Sequence, residues 1–335
     1  MKEKNVLNNN MLFYYDNVFE KENNEFIKNS KCVSGYDNID TITNMYAGLY
    51  VLGAISSLGK TTFIYQMAEQ MAKLGNHVIY ISLEQSKLEL ASKSIAREIY
   101  VNNKENAITS LQIRKNPIND AVHNAIENIK TYADKLTVVE CAFGMTMSDI
   151  EDYVKEYSET YNGAKPVLIV DYLQAIKPEN DKMNTKEQID TTMKRLKNLQ
   201  IENQMVILAI SSINRGNYLN QIDFESFKES GGIEYTADVI WGLQLAILKE
   251  QKYLNEKDTE KKRQMIKEAK KASVRRIELV CLKNRFGISN YTCQFDYHTA
   301  FDYFESDINS VDEMFKKVQD KDGWINVTDD MEIPF

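Results

Sequence analysis

Cysteine and proline are scarce in this chain of 335 residues, with four of each. Cys32, Cys141, Cys281 and Cys293 lack the paired spacing of a zinc site, so the pattern argues against a structural metal and for reduced, structural thiols. Long apolar runs are missing as well. No stretch approaches membrane-spanning length, and the N-terminus, MKEKNVLNNN, is polar and without the apolar core of a signal peptide. A soluble, cytoplasmic protein with no membrane partner is therefore expected. Positive charge is also in deficit, 41 Lys and Arg against 49 Asp and Glu, which leaves a formal charge of -8. That total is awkward for a protein that grips nucleic-acid phosphates. The deficit is uneven, however. Asp307, Asp312, Glu313, Asp320, Asp322, Asp329, Asp330 and Glu332 crowd the C-terminal stretch, whereas 249–276 is rich in Lys and Arg, so a cationic surface confined to one face is compatible with the total. The simpler reading of 249–276 is a solvated, partly helical insertion.

What is present is apolar material, 43% of residues, enough for one large α/β domain with terminal extensions. The most informative stretch is 48–62, GLYVLGAISSLGKTT. Residues 49–53 read as a buried strand, and 62–74 repeat apolar residues (Phe63, Met67, Met71, Leu74) at helical spacing. Strand, small-residue loop and helix N-terminus form the context that a phosphate-binding loop requires. Ala54, Ser56, Ser57, Leu58, Gly59, Lys60, Thr61 and Thr62 are the candidate nucleotide-binding residues. Backbone N–H groups around 57–60 can converge on phosphate oxygens, aided by the helix dipole. Lys60 adds a point charge for the β- and γ-phosphates, and the Thr61 hydroxyl can ligate Mg2+. One departure is visible: Ala54 stands at the motif's first glycine position, and glycine precedes it as Gly53.

Strand-like runs at 77–83, 136–140, 166–172, 205–210 and 239–245 alternate with helical patterns at 87–100, 119–132, 147–161 and 186–201. This alternation predicts an α/β fold, a mostly parallel sheet covered on both faces, with ligands beyond the carboxyl ends of its strands. Runs at 276–283, 291–296 and 300–304, joined by a turn at 284–290, read as a shorter antiparallel C-terminal addition. Two carboxylates end strands on the expected ligand side. Glu84 follows HVIYISL and is a candidate general base for water attack. Asp171 ends VLIV in the manner of the acidic residue that holds Mg2+ in phosphate-loop ATPases. The bland reading of each alone is a helix cap or a solvated side chain. Lys283-Asn284-Arg285-Phe286-Gly287 places two cations one residue apart, which alone reads as a solvated hairpin.

The order of these segments resembles the C-terminal ATPase domain of DnaB-type replicative helicases, a RecA-like phosphate-loop fold that works as a ring of usually six subunits. The similar segments are SGYDNID (34–40), the phosphate loop, YISLEQS (80–86), VDYLQ (170–174), AISSINR (209–215), FKESGGIEYTADVI (227–240) and LKNRFG (282–287). The resemblance implies an ATP-hydrolysing helicase that moves 5' to 3' on single-stranded DNA in replication. Lys60 and Thr61 would bind ATP and Mg2+, Glu84 would polarise the attacking water, and Asp171 would organise the metal. Lys283 and Arg285 would reach the neighbouring subunit's nucleotide. Lys228, Glu229, Ser230, Gly231 and Gly232 would form a central-channel loop that follows the DNA phosphates. The family's glutamine at the position of Ser212, which senses the γ-phosphate, is replaced by a serine too short for the same reach. That departure puts the coupling of hydrolysis to movement in question and keeps open a DNA-associated assembly or helicase-loading factor without processive unwinding.

Residues 31–305 are expected to form the ATPase domain. About thirty residues precede it, and the family's helical N-terminal domain is expected to be missing. This extension carries Leu12, Phe13, Tyr14, Tyr15 and Phe19, an aromatic cluster suited to packing on an adjacent subunit or on its own domain. Residues 306–335 read as a flexible acidic tail. Its tip, DDMEIPF, resembles the acidic Pro-Phe ending of bacterial single-stranded DNA-binding proteins and would dock replication partners, unless it is a solubilising tail alone.

Overall fold

The computed structural model describes residues 10–29, 32–141, 144–180, 182–227 and 230–310. The acidic tail beyond 310, and with it the partner-docking expectation, lies outside the described residues, as do Lys228 and Glu229. Among the described residues, nine strands form one sheet: β1 Leu49–Ala54, β2 Val78–Ser82, β3 Leu136–Glu140, β4 Val167–Asp171, β5 Ile207–Ser212, β6 Val239–Leu245, β7 Val274–Asn284, β8 Thr292–His298 and β9 Tyr303–Ser306. Their spatial order is β3-β2-β4-β5-β1-β6-β7-β8-β9. The first six pair in parallel, and β7 to β9 add on antiparallel to β6.

The residues explain the division. Strands β1, β2, β4 and β6 are buried throughout, as parallel strands covered on both faces must be, and they are rich in Val, Ile, Leu and Tyr. In β8 burial alternates, the signature of a strand with one solvated face.

The helices are α1 Met11–Asn17, α2 Phe19–Asn29, α3 Asp37–Asp40, α4 Lys60–Lys73, α5 Lys87–Asn102, α6 Ser110–Lys115, α7 Asp120–Lys130, α8 Met147–Thr160, α9 Thr185–Asn203, α10 Ser230–Thr236, α11 Gln251–Asn255 and α12 Thr259–Lys271. Several start where the sequence offers a reciprocal cap, Ser86 with Glu89, Thr146 with Asp149 and Asn184 with Glu187. The crossover through α4 runs from β1 toward β2, whereas the crossover through α9 runs the opposite way, from β4 to β5. Right-handed crossovers in opposite directions put their helices on opposite faces of the sheet. Between them, at the carboxyl ends of β1, β4 and β5, a crevice opens.

Three boundaries differ from the sequence reading. β5 begins at Ile207 and runs on through Ser211 and Ser212, because those serines pair with Gly53 and Ala54 of β1. The last strand begins at Tyr303, since Asp302 turns the chain with φ 51°. The charged segment 249–276 holds α11 and α12, and its last residues already belong to β7.

Candidate nucleotide and nucleic-acid site

The loop after β1 is held by two left-handed residues, Ser57 at φ 67° and Gly59 at φ 86°. Gly59 is the N-cap of α4 and abuts Tyr297, where a Cβ would come within 2.9 Å of the ring. Glycine is therefore required there both by conformation and by space. Gly53 explains the displaced motif glycine: a Cβ on it would lie 2.4 Å from the ring of Phe227. Ala54, next along, is a buried strand residue whose carbonyl accepts from Lys60 Nζ at 3.1 Å. Leu58 is buried in the core, so only its backbone is available to a ligand.

A cleft of about 510 Å³ lies over this loop and is lined by Ser56, Ser57, Gly59, Lys60, Thr61, Thr62, Glu84, Gln85, Lys93, Asp171, Tyr172, Ser212 and Tyr297. Sheet register brings the parts together. Ser82 pairs with Asp171 and Ala54 with Ser212, so the carboxyl ends of β2, β4, β1 and β5 finish side by side. Asp171 is 2% exposed and accepts from the Tyr80 hydroxyl at 2.8 Å. Burial pushes its carboxyl above the ordinary range, opposed by the hydroxyls of Thr61 and Tyr80 and by the charge of Lys60. Burial lowers the Lys60 ammonium, opposed first by Asp171. A buried anion and a buried cation thus face one cleft, with Glu84 exposed at its mouth. The oxygen donors Thr61 and Asp171 suit a hard cation such as Mg2+, and a low-dielectric site that resists an isolated carboxylate is one that a cation relieves.

Residues 32–306 match the sequence model of the DnaB-like helicase C-terminal domain. The chain belongs to that family. Replicative DNA helicase DnaC of Bacillus subtilis (strain 168) is 24% identical over 233 residues, which cover 68% of this chain and 49% of the relative. The chain spans about half the length of the curated relatives it matches. Among solved structures, an isolated ATPase domain superposes with a TM-score of 0.67 at 20% identity, covering 85% of this chain and 95% of that one. A DnaB-like replicative helicase, described with its interactions with primase, gives 0.66 at 18% identity, covering 89% and 66%. The fold is that of RecA-like ATPase domains.

The remaining family segments lie elsewhere on the domain. Lys283 and Arg285 sit where β7 ends beside the start of β6, at the opposite end of the sheet from the cleft. The length of β1 separates them from their own phosphate loop, about 20 Å at ~3.3 Å per residue. Lys283 Nζ donates to the Glu234 carbonyl at 2.6 Å, and Arg285 donates to Asp238 Oδ1 at 3.1 Å and to the Tyr235 carbonyl at 3.3 Å. Arg285 is exposed, and Phe286 beside it fills the space over Gly48. Neither cation belongs to the cleft of its own chain.

The expected channel loop is in part a helix. Ser230, Gly231 and Gly232 open α10, and a Cβ on Gly232 would lie 1.9 Å from Asp190 Oδ1 of α9. The double glycine therefore reflects close helix packing as well as a turn. Phe227, the residue before this segment, packs on Gly53 and bridges to Ile213, so the segment is anchored between the strand ends that carry the phosphate loop and Ser212.

The sequence reading misses four lining residues, Gln85, Lys93, Tyr172 and Tyr297. Gln85 and Tyr172 stand next to the candidates Glu84 and Asp171, which is signal enough. Lys93 is tied by Asp302, at 3.5 Å, and by the Thr62 hydroxyl, which accepts from Nζ at 3.0 Å. Those contacts are long-range and leave no local mark. Gln174 is a further omission. Its Nε2 donates to Ser211 Oγ at 3.0 Å and its Oε1 accepts from the Ser212 amide at 3.2 Å. A glutamine side chain thus stands at the end of β5, supplied by the segment after β4.

Proposed function

We infer that this chain is the motor domain of a ring-forming, ATP-hydrolysing helicase that moves 5' to 3' on single-stranded DNA during replication. The observation that carries the reading is the convergence of Lys60, Thr61, Glu84 and Asp171 on one cleft while Lys283 and Arg285 stand at the far end of the same sheet. A subunit built this way holds half of a site and offers the other half to a neighbour. Lys60 and the loop amides bind the triphosphate. Thr61 and Asp171 would hold Mg2+, which neutralises charge on the phosphates. Glu84 accepts a proton from the water that attacks the γ-phosphorus, the bond from that phosphorus to the bridging oxygen breaks, and ADP and phosphate result. Lys283 and Arg285 stabilise the charge on the transferring group in the adjoining subunit, in a ring of usually six. A cation supplied in this way is worth about a thousandfold or more in rate, so a lone subunit should be nearly inert.

The segment 228–232 is assigned to the DNA phosphates, and its anchoring by Phe227 beside the phosphate loop supports a mechanical link. The exposed apolar residues of the N-terminal helices, Met11, Leu12, Tyr15 and Phe19, support assembly with a further surface. A single comparison tests the chemistry: Lys60→Ala should abolish ATP binding, while Glu84→Gln should bind ATP and lose DNA-stimulated hydrolysis. Hydrolysis at the parental rate by Glu84→Gln under DNA saturation would remove Glu84 from its role. One feature favours a second reading, an ATP-binding assembly or helicase-loading factor: Ser212 stands where the family has a glutamine.

A further inference from the structure

The segment between β6 and β7 sends two cations onto the phosphate loop. Lys270, in the last turn of α12, donates from Nζ to the Ser56 carbonyl at 3.0 Å. Arg275, at the start of β7, donates from Nη1 to the Ser57 carbonyl at 2.7 Å. Each cation is itself steadied by an aromatic ring. Lys270 lies 5.9 Å from the centroid of Tyr218, whose hydroxyl is 3.1 Å from Ser56 Oγ. Arg275 lies 6.0 Å from the centroid of Tyr297, a wall of the cleft.

A trans peptide unit is planar, with C=O and N–H pointing in opposite directions. Holding the Ser56 carbonyl therefore aims the N–H of Ser57, and holding the Ser57 carbonyl aims the N–H of Leu58, both away from the cations. Successive N–H groups aimed to one side make an anion-binding concavity. Ser57 is left-handed at φ 67°, a conformation that a residue with a Cβ resists and that persists only where its surroundings over-determine it. A full positive charge on the carbonyl oxygen also polarises the peptide unit and strengthens its N–H as a donor.

We propose that Lys270 and Arg275 are positioning residues that clamp the phosphate loop in its phosphate-accepting shape, so that the charged segment 249–276 is part of the nucleotide site. The ligand concerned is the polyphosphate moiety of a nucleoside triphosphate. The proposal rests on the reading of the cleft as an ATP site and adds to it a brace supplied by the same chain. It also bears on the basic composition of this segment: two of its cations face the loop and not a nucleic acid.

The test is displacement of a fluorescent ATP analogue by ATP and, separately, by inorganic pyrophosphate, at one salt concentration. The parent protein is compared with Lys270→Ala, Arg275→Ala, Arg275→Lys and Lys267→Ala. Lys267 is exposed on α12 and serves as a charge-matched control. Loss of one charged hydrogen bond should weaken both ATP and pyrophosphate about tenfold, raise KM correspondingly and leave kcat at saturating ATP little changed. Arg275→Lys, which can still donate to the Ser57 carbonyl, should recover most of the affinity, and Lys267→Ala should bind like the parent. Affinities of Lys270→Ala and Arg275→Ala within twofold of the parent, or a loss in Lys267→Ala as large as theirs, would overturn the proposal. If Arg275→Ala does not fold, Lys270→Ala decides alone. Failure of the parent itself to bind nucleotide would overturn the ATP-site reading together with this one, whereas a binding parent with undiminished variants would overturn only the brace.

Discussion

Asp238→Ala removes one carboxylate that ties three elements together, and its cost can be worked out contact by contact. Asp238 is 3% exposed. Its Oδ2 accepts from the Leu49 amide at 2.8 Å, where β1 begins, and from Lys197 Nζ of α9 at 2.6 Å, while Oδ1 accepts from Arg285 at 3.1 Å. The Leu49 amide is buried and would be orphaned, at about 1–3 kcal/mol. Lys197, whose side chain is 22% exposed, would lose its partner while largely desolvated, which brings the sum to roughly 3–5 kcal/mol. The contact to Arg285 adds little, about 0–1 kcal/mol, because that side chain is half in solvent. Asp238→Asn keeps an acceptor for Leu49 and should cost about half as much. Urea unfolding at fixed ionic strength measures both, and a double-mutant cycle with Lys197→Met isolates the pair at about 1–3 kcal/mol. By differential scanning, Asp238→Ala should melt roughly 6–20 °C below the parent. A loss under ~1 kcal/mol, or equal losses for the Ala and Asn variants, would refute the argument. The same variant loosens the turn that carries Arg285, so ATPase activity of the assembled protein should fall beyond what unfolding accounts for.

Other predictions follow from the same geometry. Burial raises the Asp171 carboxyl, so between its ordinary and its native pKa the folded state holds a proton that the unfolded chain has released, and stability falls as pH rises through that window. Asp171→Asn should flatten this slope and melt above the parent at neutral pH while losing Mg2+-dependent hydrolysis; a lower melting temperature would contradict the sign. Mixing Arg285→Ala subunits with Lys60→Ala subunits should restore part of the ATPase activity, since an intact composite site forms at some interfaces, and no rescue in mixtures shown to co-assemble would argue against action across the interface. Gly53→Ala should drive a Cβ into Phe227, cost about 1–3 kcal/mol, and weaken single-stranded DNA binding more than ATP binding. Equal effects on both ligands would show that Phe227 serves packing alone.

The parts of the site that can be read from sequence are those written in adjacent residues. The apolar run of β1, the small-residue loop and the periodicity of α4 are local, and each implies its neighbour. Glu84 and Asp171 are legible because a carboxylate closing an apolar strand has a defined position in a parallel sheet. Ser211 and Ser212 read as loop because small polar residues carry no strand signal; their pairing with Gly53 and Ala54 is a property of the sheet. The Gly231-Gly232 pair reads as a turn because glycine weakens a helix by roughly 1 kcal/mol, yet Gly232 is in a helix that must pass close to Asp190. Lys270 and Arg275 leave no local signal, since their partners Ser56 and Ser57 lie far away in sequence. Lys283 and Arg285 are legible only as part of an ordered set of family segments, because alone two cations in a turn are a solvated hairpin.

The central claim is that ATP hydrolysis in this cleft drives movement along DNA, and strand displacement on a forked duplex tests it most directly. The parent, given ATP and Mg2+, should displace the strand of a fork that offers a 5' single-stranded tail and not of one that offers only a 3' tail, with base pairs opened per ATP consumed recorded at one salt concentration. Ser212→Gln should leave that ratio unchanged or raise it. ATP-dependent DNA binding and hydrolysis with no displacement on a fork of either polarity would contradict the motor account and favour the assembly-factor reading.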